Sequence, residues 1–296
     1  MGFEAVGVTA HLLTLLCGGL VGFSLALTGG GGSTLAVPLL LYVVGMRNVH
    51  MVIGTSALAV SVNAYANLIP HARAGHVRWR EGITFSLAGV AGAVVGSEFG
   101  KLVDGRKLLL LFALLMIVVA VLMLIPRKPR PVGFASVRFL MPRLVGIGFV
   151  AGAAAGFFGV GGGFMIVPGL MLTSHMEILK AIGTSLFGVG TFGLTTALNY
   201  ARSGLVDWVV ALEFVAGGVV GGWLGAMAAR RLSKTRGALN VAFSVTIITV
   251  AIYMLVRTLS PATVGHTQTL TQTRAAPVST QSVVSDHFEK ASAQLK

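Results

Sequence analysis

Ten apolar segments follow one another along this chain, and two of them are broken by glycine runs at matching places. The segments lie at about 9–28, 33–46, 51–69, 82–100 and 107–125, then 144–158, 163–174, 178–199, 208–229 and 237–257. Several approach the ~20 residues that an α-helix needs to cross a bilayer. Only 10% of the residues are charged and 55% are hydrophobic, against roughly 25% charged in a soluble domain. So few charges cannot cover a globular surface, and the chain reads as an all-α polytopic membrane protein.

The ten segments are two copies of five. Ile53-Gly54-Thr55-Ser56 returns as Ile182-Gly183-Thr184-Ser185, 129 positions later. "VPLL" at 37–40 meets "VPGL" at 167–170, and "RAGHVRW" at 73–79 meets "RSGLVDW" at 202–208. Gly89, Gly92 and Gly96 meet Gly218, Gly221 and Gly225. Shared glycines alone would say little, since membrane helices are rich in them; ordered motifs at an offset of 129 or 130 indicate duplication. We divide the chain into a first repeat (1–125), a basic linker (126–143), a second repeat (144–257) and a polar tail (258–296) expected to be disordered.

An odd number of segments turns the second copy upside down, and the charges test this. Loops 126–143 and 230–236 hold five and four Lys and Arg and loop 71–80 holds three, while the counterpart 200–207 holds one against Asp207 and 101–107, still basic for an outside loop, holds three against Asp104. By the positive-inside rule the rich loops face the cytoplasm and both termini lie outside. The net charge of +13 is thereby used in orientation, and nucleic acid is not expected as a partner. Met1 to Ala10 holds Glu4 and no Lys or Arg, so the first apolar run is expected to stay as a helix rather than be removed as a signal. Cys17 is the only cysteine, which excludes an intrachain disulfide or a cysteine metal cluster.

The glycine runs are "GGGGSTLAVP" at 29–38 and "GVGGGFMIVP" at 159–168. Unpaired backbone in lipid costs several kcal/mol per group, so irregular backbone survives at membrane depth only inside protein or along a cavity. Matched interruptions in two inverted halves point to a transporter's binding site, with short-helix starts aimed at an anion. Pro38 and Pro168 would disturb the first turns further or end the irregular stretch. Neither run fits a P-loop, since no Lys follows, nor a dinucleotide fold, which needs a preceding strand. A second matched break is expected at Gly54-Thr55-Ser56 and Gly183-Thr184-Ser185, where small hydroxyl residues either cap a short helix or pack helices closely.

These paired glycine-then-VP motifs, each followed by IGTS and a basic RxGxVxW loop, resemble the TauE/SafE sulfite exporter family of membrane permeases. The resemblance covers nearly all of residues 10–257. It implies a secondary transporter of small sulfur-containing anions, such as sulfite or organosulfonates, with no bound cofactor and no catalytic role. The implied location is the cell inner (plasma) membrane, with the lipid bilayer and a small anion as partners; a homo-oligomer is compatible with the sequence. A cation or metal transporter and a membrane-embedded enzyme are the alternatives. The first would want intramembrane acidic or Met–His clusters, and the second convergent acid–base groups; no metal-ligand set stands out.

The candidate substrate contacts are Gly29, Gly30, Gly31, Gly32 and Ser33 in the first break and Gly159, Gly161, Gly162 and Gly163 in the second. Hydroxyls Thr55, Ser56, Thr184 and Ser185 join them, as do Asn63, Asn67 and Asn199, whose amides in a membrane helix must bond a neighbour or a ligand. His71, Arg73 and Arg202 are candidates for gating or anion contact, because guanidinium matches oxyanions; the competing role is a cation snorkelling to headgroups. Trp79 and Trp208 read as interfacial anchors. Glu98 and Glu213 lie near segment ends at non-equivalent positions, which argues against a shared proton relay. Gly92/Gly96 and Gly221/Gly225 read as close helix contacts.

The topology predicts opposite exposure of the linker and the tail. In a Cys17→Ser background, a cysteine at Ser136 should label only from inside and one at Ser282 only from outside; labelling of both from one side would exclude the inverted arrangement.

Overall fold

The computed structural model describes residues 2–124, 137–174, 176, 178–231 and 236–259. Residues up to Thr258 form one compact unit. Every regular element among the described residues is helical. In order they are α1 (Gly2–Thr28), a broken helix α2 over residues 31–43, α3 (Val49–Arg73), α4 (Trp79–Leu102) and α5 (Gly105–Leu124). Then come α6 (Val137–Phe158), α7 (Gly163–Ser174), α8 (Ile178–Arg202), α9 (Trp208–Arg231) and α10 (Arg236–Leu259). Six helices among the described residues are long and apolar enough to cross a membrane: those around Thr9–Thr28, Val49–Arg73, Trp79–Leu102, Met141–Phe158, Leu179–Arg202 and Trp208–Ala228. The linker expected at 126–143 is shorter than its span suggests, because Val137 already begins α6; the rest of it, and the tail from residue 260, lie outside the described residues.

Helix boundaries follow local chemistry. Asn48 caps α3 by accepting from the backbone N–H groups of His50 and Met51 at 3.0 and 3.2 Å. Asp104 and Asp207 do the same for α5 and α9. Each cap meets donors that the first helical turn leaves unpaired. The RxGxVxW motif is a stop, a turn and a start. Gly75 and Gly204 close α3 and α8 with φ of 71° and 68°, while His76 and Leu205 donate back to the carbonyls of His71 and Tyr200. Trp79 and Trp208 then open α4 and α9, 48% and 64% exposed, which suits rings standing at the edge of a bilayer.

Helix–helix contact rests on glycine. In lipid, tails are as apolar as side chains, so close backbone approach and the dispersion it brings take over from hydrophobic burial. Along α9, Gly217, Gly221 and Gly225 lie against the carbonyls of Leu15, Gly19 and Phe23 of α1. Along α4, Gly92 and Gly96 lie against the carbonyls of Phe149 and Ala153 of α6. Both pairs run parallel, and the contacts of Gly221 and Gly225 have their equivalents one repeat away in those of Gly92 and Gly96. The long helices α3 and α8, which are themselves equivalents, pack antiparallel. Gly54, at the start of α3, meets Tyr200 near the end of α8, and Gly183, at the start of α8, meets His71 near the end of α3. Between these ends the Ser61 hydroxyl donates to the Gly190 carbonyl at 2.6 Å.

The expected second break does not exist. α3 runs unbroken through Gly54-Thr55-Ser56, and α8 through Gly183-Thr184-Ser185. These glycines admit the carbonyls of Leu205 and His76 from the opposite repeat's turn, so packing is the reason for them. The segment expected at 33–46 is also more irregular than a single short helix. It passes from a 3-10 turn (Gly31–Leu35) through one α turn (Ala36–Pro38) into a π turn (Leu39–Val43).

Substitution at these contacts separates glycines that pack from glycines that do not. Gly92→Leu and Gly221→Leu each place a side chain against backbone that cannot yield, and should cost at least about 1–3 kcal/mol. Gly146, with nothing within 4 Å of its missing Cβ, should accept Leu without loss. Thermal unfolding of the purified variants in detergent reads the difference, and equal melting temperatures would remove the glycines from the packing account.

Candidate functional site

The two glycine breaks meet. A Cβ on Gly30 would run into the backbone of Gly163, and one on Gly163 into the Cα of Gly30. Gly161 lies against Val60 of α3 and Val189 of α8. Those valines flank the Ser61–Gly190 hydrogen bond at the middle of the long antiparallel pair, so the breaks meet near the centre of the bundle. α7 starts there and runs outward for 12 residues, or about 18 Å at 1.5 Å per residue, short of a ~30 Å hydrocarbon layer. In this conformation the backbones touch directly and leave no room for a solute between Gly30 and Gly163.

Conformation explains why the breaks are glycine. Gly159, Gly161 and Gly162 hold φ of 67°, 68° and 66°, and Gly29 holds 73°; this left-handed region is costly for a residue with a Cβ. The halves are unequal. The second break has three such residues and leads straight into α7, where the N–H groups of Met165 and Ile166 both reach the Gly162 carbonyl. The first has one and tightens into a 3-10 turn. There the Ser33 hydroxyl donates to the Gly30 carbonyl at 2.7 Å, and the Gly32 N–H donates to the Thr28 hydroxyl at 3.2 Å.

The hydroxyls of the IGTS motifs hold the breaks in place. Ser56 donates to the carbonyls of Gly159 at 3.2 Å and Ile53 at 3.0 Å. Ser185 donates to those of Gly29 at 2.6 Å and Ile182 at 2.8 Å. Thr55 accepts from the Asp207 N–H at 2.9 Å, and Thr184 from the Arg78 N–H at 3.0 Å. The four therefore hydrogen-bond backbone, each crossing from one repeat to the other, and in this conformation they hold the breaks in place.

The amides divide. Asn199 donates to the Ser97 hydroxyl and accepts from Lys101 Nζ at 3.0 Å. Lys101 also reaches Glu98 at 3.0 Å and Ser203 at 3.3 Å. This cluster sits where the ends of α4 and α8 meet. Sequence reasoning missed Lys101, because a lysine at a helix end reads first as a charge facing headgroups. Asn63 and Asn67 are buried on α3 and lie over Gly218 and Gly222 of α9. Both side-chain polar atoms of Asn63 and Nδ2 of Asn67 lack a hydrogen-bond partner. A buried unpartnered polar group costs about 1–3 kcal/mol.

Arg73 and Arg202 are exposed at the ends of α3 and α8. Because those helices are antiparallel, the two arginines stand at opposite ends of the bundle and cannot grip one ligand together. His71 lies beside Gly183, its ring 5.9 Å from that of His76.

Comparison with known proteins finds relatives described as membrane transporters. A probable membrane transporter protein of Xylella fastidiosa (strain Temecula1 / ATCC 700964) is 53% identical over 252 residues, 84% of this chain and 97% of its own. The probable membrane transporter protein YunE of Bacillus subtilis is 25% identical over 245 residues, 75% of this chain and 90% of its own. A probable membrane transporter protein of Haemophilus influenzae is 29% identical over 203 residues, 66% of this chain and 75% of its own. No solved structure matches the chain. The family profile described as sulfite exporter TauE/SafE matches residues 14–254, which takes in both glycine breaks and the helices that clamp them. With those apolar helices and these relatives, this is a multi-pass membrane transporter, and the chain belongs to the sulfite exporter TauE/SafE family.

Proposed function

We propose that this protein is a secondary transporter of small sulfur-containing anions, sulfite or an organosulfonate, working by alternating access around the two glycine breaks in the cell inner membrane. The observation that carries the reading is the meeting of Gly30 and Gly163 at the centre of the bundle. Two interruptions that touch there, each held by a serine of the other repeat, form a seam between the halves. Parting it opens a central space bounded by backbone and by the start of α7, whose dipole favours an anion. The direct contact then represents the closed seam.

The antiparallel packing of α3 on α8 supports an inverted relation of the repeats. Equivalent helices running in opposite directions imply a rotation axis lying across them, as in transporters built from inverted halves. Opening toward one face and then the other becomes two equivalent motions of one design. Arg73 and Arg202, at opposite ends, take equivalent places at the two mouths. The sulfur chemistry of the substrate rests on the family's description.

The reading predicts that the second break tolerates no side chain in transport. Gly161→Val and Gly162→Val should abolish movement of labelled sulfite or methanesulfonate in reconstituted vesicles, normalised to folded protein, because a β-branched residue is strained at positive φ. Ser282→Ala in the tail should transport like wild type. Near-normal transport by both valine variants would place the path elsewhere.

A further inference from the structure

The two halves differ at one matched place, and the difference is chemical. On α3, Asn63 and Asn67 stand one helical turn apart, 0% and 6% exposed. Three of their polar atoms have no hydrogen-bond partner: Nδ2 and Oδ1 of Asn63, and Nδ2 of Asn67. Both amides lie directly on glycines of α9, Gly218 and Gly222. The equivalent positions on α8 are Phe192 and Thr196. Phe192 fills the space over Gly89 and stacks on Phe85 with ring centroids 6.0 Å apart. The Thr196 hydroxyl donates to its own helix, at the Phe192 carbonyl, 2.9 Å away. One half thus covers its glycine with a ring and a satisfied hydroxyl, and the other covers its glycines with unpartnered amides.

Resting on the transporter reading, we propose that Asn63 and Asn67 bind the transported anion on the α3–α9 side of the path that the parted seam opens, and that the bound species is a small monoprotonated oxyanion. The atoms define the ligand. Two amide N–H donors on successive turns, their Cβ atoms about 5–6 Å apart, suit an ion with several acceptor oxygens. The Oδ1 of Asn63 needs a donor, which a fully ionised sulfonate lacks and hydrogensulfite carries. Neutral donors bind without a lysine's charge, so release demands no ion-pair separation. Four residues further along the same face stands His71, and then Arg73 at the helix end, so the amide ladder leads to one mouth.

The test uses the full chain in detergent, with inorganic sulfite and methanesulfonate as probes and gluconate as the background anion. Without a probe, Asn63→Leu and Asn67→Leu should each raise the melting temperature by about 2–4 °C, since an unpaired buried amide is removed. Sulfite should raise the melting temperature of wild type and of Thr196→Val, with methanesulfonate at least about tenfold weaker in midpoint. In the two leucine variants the sulfite response should vanish or weaken at least about tenfold. An unchanged sulfite response in both leucine variants would overturn the site while leaving the transporter reading intact. An equal response to methanesulfonate would overturn the monoprotonated ligand. No response of wild type to either probe would defeat the sulfur-anion reading, and this site with it.

Discussion

A backbone carbonyl at the centre of an apolar bundle must find a donor, and the carbonyls of Gly29 and Gly159 find theirs across the repeat boundary. Ser185 serves one and Ser56 the other. Each break is therefore finished by the long helix of the opposite half. This cross-bonding lets irregular backbone exist where lipid offers no hydrogen bonds. It also couples the halves, because neither break can move far without disturbing a serine on its partner's helix. The same exchange recurs at the preceding residue, where Thr55 and Thr184 receive N–H groups from the loops that follow α8 and α3.

Around this centre, glycine sets distance. The α1–α9 and α4–α6 contacts are backbone against backbone, made by Gly22 on Gly218 and Gly152 on Gly89 among others. Contacts of this kind bring weak Cα–H···O and dispersion terms that act only at short range. They are rigid as long as they last, and a side chain inserted into them has no soft neighbour to displace. The moving parts of such a protein are more naturally sought at the seam between the breaks than within these locked pairs.

Duplication made the two halves alike, and the differences between them carry the specific chemistry. Asn63, Asn67 and His71 on α3 stand where Phe192, Thr196 and Tyr200 stand on α8. Gly222, beneath Asn67, replaces Ala93 of the other half, giving the larger amide a place to lie.

Much of this was legible in the sequence. Apolar length, scarcity of charge and the paired glycine runs were enough for a membrane bundle and for the two breaks at 29–32 and 159–163. The 163–174 segment coincides with α7, since a glycine run and helical periodicity are both local signals. The IGTS motif was misread as a second break because Gly beside Thr and Ser looks alike whether a helix ends there or is crossed there. Only the approach of the Leu205 and His76 carbonyls decides between the two. The sequence also grouped Asn63, Asn67 and Asn199 as one kind of residue. Tertiary contact separated them, giving Asn199 a lysine and a serine and leaving the others on bare glycine. Sequence by itself determined the apolar, helical character of the segments and the two glycine interruptions, because these depend on composition and on neighbours along the chain. Which hydroxyl closes which carbonyl, that the two breaks touch, and which amides stay unpaired were decided only by the tertiary structure, because those partners lie a repeat apart.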